Sequence, residues 1–344
     1  MADESRAAKK SLDIICPVFR EEQVIQAFHA RLGKVVDEIA DRYFVRVVYV
    51  ADPSADRTEA ILSEICASDP RVDLLVMSRR FGHQAAIVAG IDHSCADAVV
   101  MLDCDLQHPP ELIPQLISFW EDGADIVQTL RQDGAETDLA KRFTSRLFYR
   151  TLLKISSVEL RTGAADYRLL SNRVAKVFRE QIREHNPFLR GLVTWVGFKT
   201  VYLPFQPSRR EHGKSKYRAS TLLNFALNGI CSFSNFPLRL CIGAGSAIAF
   251  LSLLSVFVQL VMYLLGSRSV PGWASLFTVS NFIGGVQLLF LGILGEYVSL
   301  IFDEVKNRPR YLIERKYGQG RLTEEQSERF ALTETVASAI AARH

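Results

Sequence analysis

At 344 residues and a net charge of +3, the chain is long enough for one large domain plus an appendage, and it lacks the basic excess that would mark a nucleic-acid binder. Its 48% hydrophobic content is ordinary but unevenly spread: the first two thirds read as soluble α/β sequence, and the rest holds two long apolar runs. Cys16, Cys66, Cys95, Cys104, Cys231 and Cys241 form no Cys-x-x-Cys pair and read as free thiols of a reducing compartment; the seven histidines make no metal-type cluster.

Leu12 to Pro17 reads as a short apolar strand closed by proline. Val24, Ile25, Phe28, Leu32, Val35, Val36 and Ile39 then recur at helical spacing, which predicts a helix within 21–41. Val45 to Val50 is a second strand, followed by a polar turn, Ala51 to Thr58, rich in helix N-cap residues. A helix to about Ser68, a strand over Val72 to Met77, a helix over His83 to Ser94 and a strand running into Asp103 continue the series. Strands alternating with helices imply a mostly parallel sheet covered on both faces, with ligands bound outside the carboxyl ends of its strands. The acidic groups after Val50 and after Leu102 are therefore expected to be neighbours.

The stretch Ala98 to Pro110 carries the densest chemistry. An apolar run ends in Asp103, Cys104, Asp105, Leu106 and Gln107, and the pair Pro109 and Pro110 stops it. In an extended backbone residues i and i+2 point the same way, so Asp103 and Asp105, with Gln107 as a potential third, can converge just past the strand end. Three oxygen donors on one side suit Mg²⁺ or Mn²⁺, ions that keep open positions for waters and substrate phosphates. Further on, Asp166 precedes an alternating Tyr167 to Leu170 segment that predicts another strand; the bland alternative makes Asp166 a structural acid paired with Arg168 or Arg161.

Leu240 to Ser267 and Val270 to Gly295 contain no Asp, Glu, Lys, Arg or His, and each exceeds the roughly 20 residues a helix needs to cross a bilayer. Two transmembrane helices joined by a tight hairpin are expected. Arg209, Arg210, Lys214, Lys216, Arg218 and Arg239 precede the pair, and Lys306, Arg308, Arg310, Arg315 and Lys316 follow it. The positive-inside rule puts both flanks in the cytoplasm. Met1 to Ser11 is polar with no signal-peptide core, so the large domain and both termini are expected to be cytoplasmic. Thr221 to Phe236 is apolar with scattered Asn and Ser and reads as one or two helices lying in the membrane interface. Glu296, near the cytoplasmic end of the second run, is expected to face a neighbouring helix or subunit. The organisation that results is a polar segment over 1–11, a cytoplasmic domain over 12–218, interfacial helices over 219–237, a membrane hairpin over 238–302 and a cytoplasmic tail over 303–344.

In order, Pro17 to Glu22, Val50 to Asp56, Ser78 to Gly82 and Asp103 to Glu111 resemble the successive motifs of family 2 glycosyltransferases. The branch they resemble is the polyprenyl-phosphate glycosyltransferases, the group of dolichol-phosphate mannosyltransferases and bactoprenol glucosyltransferases. Gly163 to Leu169, Phe188 to Phe198 and Arg209 to Tyr217 extend the match, which runs from about Leu12 to about Tyr317. The resemblance implies a Rossmann-like, A-type glycosyltransferase domain that binds a nucleotide diphosphate sugar, followed by interfacial helices and two transmembrane helices. It also implies transfer of a hexose to a polyprenyl phosphate with inversion, UDP-glucose being the favoured donor and GDP-mannose the second.

By the same resemblance Pro17, Phe19, Glu21 and Asp52 contact the nucleoside, Asp103, Asp105 and Gln107 hold the metal and diphosphate, and Asp166 lies near the reacting centre. Arg79 and Arg80 are placed to approach phosphate. Arg209, Arg210, Lys214 and Lys216 form a basic loop just before the membrane, where an acceptor phosphate, a leaving diphosphate and anionic lipid all call for cations. A homo-oligomer, a flippase partner and a bacterial inner-membrane location complete the expectation. The chain departs from the family in carrying Arg20 where Asn is usual, and Ala51-Asp52-Pro53-Ser54 where an Asp-Asp-Gly-Ser turn is usual, which leaves the base open. A processive polysaccharide synthase is disfavoured by two rather than many membrane helices and by the lack of a Gln-x-x-Arg-Trp motif. A silent nucleotide-sugar-binding scaffold is disfavoured by the intact Asp103, Asp105 and Gln107.

Overall fold

A computed structural model describes residues 9–132, 161, 163–185, 187–207, 236–265 and 272–318. The chain divides into two units, one of Met1–Arg142, Leu160–Ser215 and Pro309–His344 and another of Phe143–Glu159 and Lys216–Arg308.

The first unit is built on β1 (Lys10–Val18), β2 (Tyr43–Ala51), β3 (Val72–Met77) and β4 (Ala98–Met101), with α1 (Ile25–Ile39), α2 (Thr58–Ser68) and α3 (His83–Asp92) between them. A short 3₁₀ turn at Pro110–Leu112 leads into α4 (Ile113–Glu121) and β5 (Ile126–Arg131). After residue 160 come β6 (Ala164–Ser171), α5 (Asn172–Glu180), α6 (Leu189–Trp195) and β7 (Thr200–Phe205). The sheet has eight strands in the order β7-β5-β6-β4-β1-β2-β3-β8, the last being Ile313–Tyr317. β1 runs parallel to β2 and β4, β2 to β3, and β5 to β7, whereas β6 is antiparallel to both β4 and β5.

The hydrophobic pattern explains the layering. On α1 the buried residues are Ile25, Phe28, Leu32, Val35, Val36 and Ile39, the stripe that the spacing predicted. Every residue of β1 from Leu12 to Val18 is buried, as a strand covered on both faces must be. Gly90 lets α3 lie close on this strand, because a Cβ there would run into the Ile15 side chain. At the amino ends of the strands, away from the site, Arg46 on β2 hydrogen-bonds Asp13 on β1 and lies 3.4 Å from Asp73 on β3.

Within the segment read as a tail, Ile313–Tyr317 form β8, antiparallel to β3. Leu312 O accepts from Ser78 N at 2.9 Å, Tyr311 Oη donates to Asp92 at 3.1 Å, and Arg315 lies 2.7 Å from Glu59.

The second unit contains α7 (Phe236–Leu264, 29 residues) and α8 (Trp273–Lys306, 34 residues), which carry most of the two uncharged runs. Among the described residues one span, Phe282–Lys306, is long and apolar enough to cross a membrane, with a mean hydropathy of 1.8. Asn307 closes α8 in the left-handed region. The expected interfacial segment up to residue 235 and the basic loop residues Arg209, Arg210, Lys214 and Lys216 lie outside the described residues.

Candidate active site

The parallel strands β1, β2 and β4 end side by side, so the residues after Val18, Ala51 and Met101 share one rim of the sheet. Asp52 stands at the end of β2 and is buried; its Oδ1 accepts from Phe81 N and its Oδ2 from Gly82 N, both at 2.9 Å. Both carboxylate oxygens of Asp52, the acid expected at the nucleoside, thus hold the Ser78–Gly82 loop. Gly82 adopts φ +95°, a backbone setting that side chains resist, and α3 begins at the next residue, His83.

β4 stops at Met101, two residues before Asp103, although Leu102 N still donates to Ile15 O at 3.0 Å. Cys104 is buried at 2% exposure, whereas Asp103 and Asp105 on either side of it are partly exposed. Asp105 Oδ1 accepts from Gln107 N at 3.1 Å across Leu106, which is forced into the left-handed region at φ +61°. Gln107 is buried; its Oε1 accepts from Arg131 Nη1 at 3.1 Å, and its Nε2 has no hydrogen-bond partner among the described residues. Asp103 and Asp105 fit a hard cation that takes its remaining donors from water and phosphate, whereas Gln107 has its oxygen turned to Arg131. Among the described residues no three His, Cys, Asp or Glu side chains come together as a ready-made metal cage.

Two histidines flank Asp103. His83 Nε2 lies 2.7 Å from Oδ1, and the buried His108 Nδ1 lies 3.5 Å from Oδ2. Burial alone would raise the Asp103 carboxyl, but the His83 hydrogen bond and the charges of His83 and His108 outweigh it and hold it below the ordinary value. Desolvation would lower the His83 imidazole; Asp103 more than offsets this and keeps it above its ordinary value. The His108 ring is packed against Tyr167 and Phe205, with centroids 5.6 Å and 5.7 Å away, and Tyr167 Oη donates to Pro109 O at 3.1 Å.

β6 brings the next acid. Met101, the last residue of β4, pairs with Arg168 on β6, and Asp166, two residues before Arg168, is near enough for its charge to bear on both Asp103 and His83. Asp166 accepts from Arg168 Nη2 at 2.8 Å and from Arg190 Nε and Nη2 at 3.0 Å and 2.7 Å. Burial would raise its carboxyl, yet the charges and hydrogen bonds of Arg190 and Arg168 hold it far below the carboxylate range. Arg168 is itself fully buried, which brings its guanidinium down to about 10, still charged at neutral pH.

A match to the glycosyl transferase family 2 model covers residues 13–178, from β1 into α5, and so contains every one of these acids. The SfII prophage-derived bactoprenol glucosyl transferase of Shigella flexneri is 39% identical over 308 residues, 89% of this chain and 98% of that protein. The chain belongs to glycosyl transferase family 2. A second relative, the uncharacterized glycosyltransferase YkcC of Bacillus subtilis, is 37% identical over 89% of this chain and 94% of its own length. Among solved structures, the mannosyltransferase PcManGT from Pyrobaculum calidifontis in complex with GDP-Man and Mn²⁺ is 15% identical, covers 88% of each chain and superposes with a TM-score of 0.44.

The other residues expected at the donor site of this family 2 glycosyltransferase lie at the ends of β1 and β3. Pro17 is buried within β1. Phe19 is partly exposed, with the guanidinium of Arg80 4.2 Å and that of Arg20 5.2 Å from its ring centre; Arg79 lies 4.0 Å from Phe81 in the same way. Glu21 sits where α1 is initiated: its N–H donates to Thr58 Oγ1 at 3.0 Å and its carbonyl accepts from Val24 and Ile25.

Four residues that pattern reading passed over belong to this constellation: His83, His108, Arg131 and Arg190. The two histidines looked like isolated side chains because their common partner, Asp103, is 20 residues from one and five from the other. Arg190 lay inside a segment that the family resemblance already picked out, Phe188 to Phe198, and an arginine there was a signal open to use.

Proposed function

We propose that the protein transfers one hexose from a nucleoside diphosphate sugar to a membrane polyprenyl phosphate, with UDP-glucose the first donor to consider and GDP-mannose the second. The observation that carries this reading is the pair Asp103 and Asp105, both partly exposed on either side of buried Cys104, with Asp103 close enough to the Asp166–Arg190 ion pair to feel the Asp166 charge. The names of the bactoprenol glucosyl transferases it is similar to support the polyprenyl acceptor.

A divalent cation, Mg²⁺ or Mn²⁺, held by Asp103 and Asp105 with Gln107 as a further donor once it leaves Arg131, would offset charge on the departing diphosphate. The acceptor phosphate is already anionic and needs no base to attack the anomeric carbon. Asp166, ion-paired and fully ionised, is a poor proton acceptor, and its role is to hold Arg190. The Arg190 side chain stays 41% exposed and would meet a phosphate from there, and the basic loop of Arg209, Arg210, Lys214 and Lys216 would supply further cations. Direct attack inverts the centre, so an α-linked donor gives a β-linked lipid. Pro17, Phe19 and Glu21 would flank the nucleoside, and Asp52 would act there by fixing the loop that carries Arg79 and Arg80.

In this reading α7 and α8 are two transmembrane helices that keep the site on the cytoplasmic face of a bacterial inner membrane. Support comes from the uncharged runs, from their basic flanks, and from exposed Phe250, Leu254 and Phe257 on α7 and Leu288, Leu291 and Val298 on α8. The test is a transfer assay in membranes: radiolabelled UDP-glucose, UDP-galactose, UDP-GlcNAc or GDP-mannose with undecaprenyl phosphate and Mg²⁺ or Mn²⁺, counting label in the organic phase. Label from one donor, lost in Asp105→Ala, is expected; no label from any donor with folded protein overturns the reading.

A further inference from the structure

His83 has no role assigned by the reaction proposed above, yet it makes the shortest contact to the metal-motif acid. Three features aim it. Asp52 clamps the N–H groups of Phe81 and Gly82, Gly82 turns the chain at φ +95°, and Gly90 seats α3 tightly on β1, so the first side chain of the helix is delivered to the rim of the sheet. There His83 Nε2 lies 2.7 Å from Asp103 Oδ1. The other oxygen, Oδ2, has His108 Nδ1 at 3.5 Å among the described residues, beyond a good hydrogen bond. An ionised carboxylate offers about four lone-pair sites. One is taken by His83, which fixes the plane of the group and leaves the others open.

We propose that His83 is a positioning residue: by donating to Asp103 Oδ1 it orients this carboxylate to receive the divalent cation, without touching the cation itself. The proposal rests on the reading of Asp103 and Asp105 as the cation site. Such partners of metal-binding carboxylates typically account for a 10–100-fold change in metal affinity when lost. A histidine that merely completes the start of α3 would leave metal affinity unchanged, because its loss would act on the fold.

The test is Mn²⁺ binding by the full-length protein in detergent, with free Mn²⁺ counted from its electron paramagnetic resonance signal, first with no nucleotide and then with UDP or GDP. His83→Ala is expected to weaken Mn²⁺ binding about tenfold or more. His83→Gln, whose amide N–H can reach the same oxygen, is expected to recover most of the loss. Should the alanine variant not fold, His83→Asn, polar but too short to reach Asp103, gives the same contrast. Unchanged or tighter Mn²⁺ binding in the shortened variants, while Asp105→Ala abolishes it, overturns the positioning role and leaves the cation site intact. Wild-type Mn²⁺ binding in Asp105→Ala overturns the cation-site reading, and the role of His83 with it.

Discussion

Arg190 grips Asp166 with a two-pronged contact, Nε to Oδ1 at 3.0 Å and Nη2 to Oδ2 at 2.7 Å, while the fully buried Arg168 holds the same Oδ1 from behind at 2.8 Å. The two arginines see different surroundings: Arg168 has 1% of its side chain exposed and Arg190 41%. One therefore anchors the acid and the other presents a fixed guanidinium to the site. A lysine at 190 keeps the charge and loses the fork. Arg190→Lys should lower kcat/KM for transfer about 10–100-fold, equivalent to about 1.4–2.7 kcal/mol, with the melting temperature nearly unchanged. Asp166→Asn should instead destabilise by about 3–5 kcal/mol, because Arg168 is left buried without a countercharge. Wild-type kcat/KM in Arg190→Lys would reduce the whole triad to scaffolding.

Asp52 is predicted to be a loop anchor. An asparagine keeps one acceptor but turns an NH₂ towards one of the two backbone donors, so Asp52→Asn should destabilise by about 1–3 kcal/mol. Hydrogen exchange is the direct readout: the amides of Phe81 and Gly82 should lose protection selectively, along with a rise in KM for the nucleotide sugar. Slow exchange at both amides in the variant would mean that other groups hold this loop.

Arg20 occupies the left-handed region at φ +58°, a conformation costly for most side chains and tolerated by Asn. The family's usual residue there is Asn, so the departure noted in the sequence coincides with a strained backbone position. Arg20→Asn should stabilise the protein by about 1 kcal/mol, visible in a denaturant midpoint, provided the Arg20 stack on Phe19 is worth less than the backbone cost. A lower midpoint would show that the stack outweighs the strain.

How far the sequence carried depended on how local each feature is. The stripe on α1 and the strands β1 to β4 follow from spacing within a dozen residues, and Asp103 and Asp105 declared themselves by a two-residue offset around an apolar side chain. β8 did not. Ile313-Glu-Arg-Lys-Tyr317 is a short, mostly charged stretch, and it becomes a strand because β3 offers a free edge more than 230 residues earlier in the chain. The site was half legible for the same reason. Asp166 was expected near the reacting centre and its pairing with Arg168 lies two residues away, but the second arginine, Arg190, and the contact of His83 with Asp103 exist only once β4, β6, α3 and α6 have been assembled. Asp52 shows the reverse case, an acid the motif singles out whose two oxygens go to backbone donors that no motif announces.

His93, at the end of α3, links the β8 edge to the pH dependence of stability. It is buried, donates from Nδ1 to Ala89 O at 2.8 Å, and packs against Tyr311, with Arg46 and Lys316 as the cations that bear on it. Burial, with the charges of Lys316 and Arg46 adding to it, lowers the imidazole from 6.5 to about 4. A histidine lowered in the folded state binds its proton more readily when unfolded. The folded protein therefore loses stability as pH falls from about 6.5 to about 4, and below the folded value the loss levels off at about 3 kcal/mol. Carboxylates such as Asp69, held low by Arg71, add their own loss at lower pH, so the comparison has to be differential. His93→Asn keeps a side-chain N–H near the position of Nδ1 for Ala89 and removes the titration. Its unfolding free energy should fall less steeply than that of the wild type between pH 6.5 and pH 4.5, the two curves converging or crossing as the pH drops. Parallel curves across that interval would mean that His93 is protonated inside the folded protein, with a countercharge reaching it from beyond Tyr311.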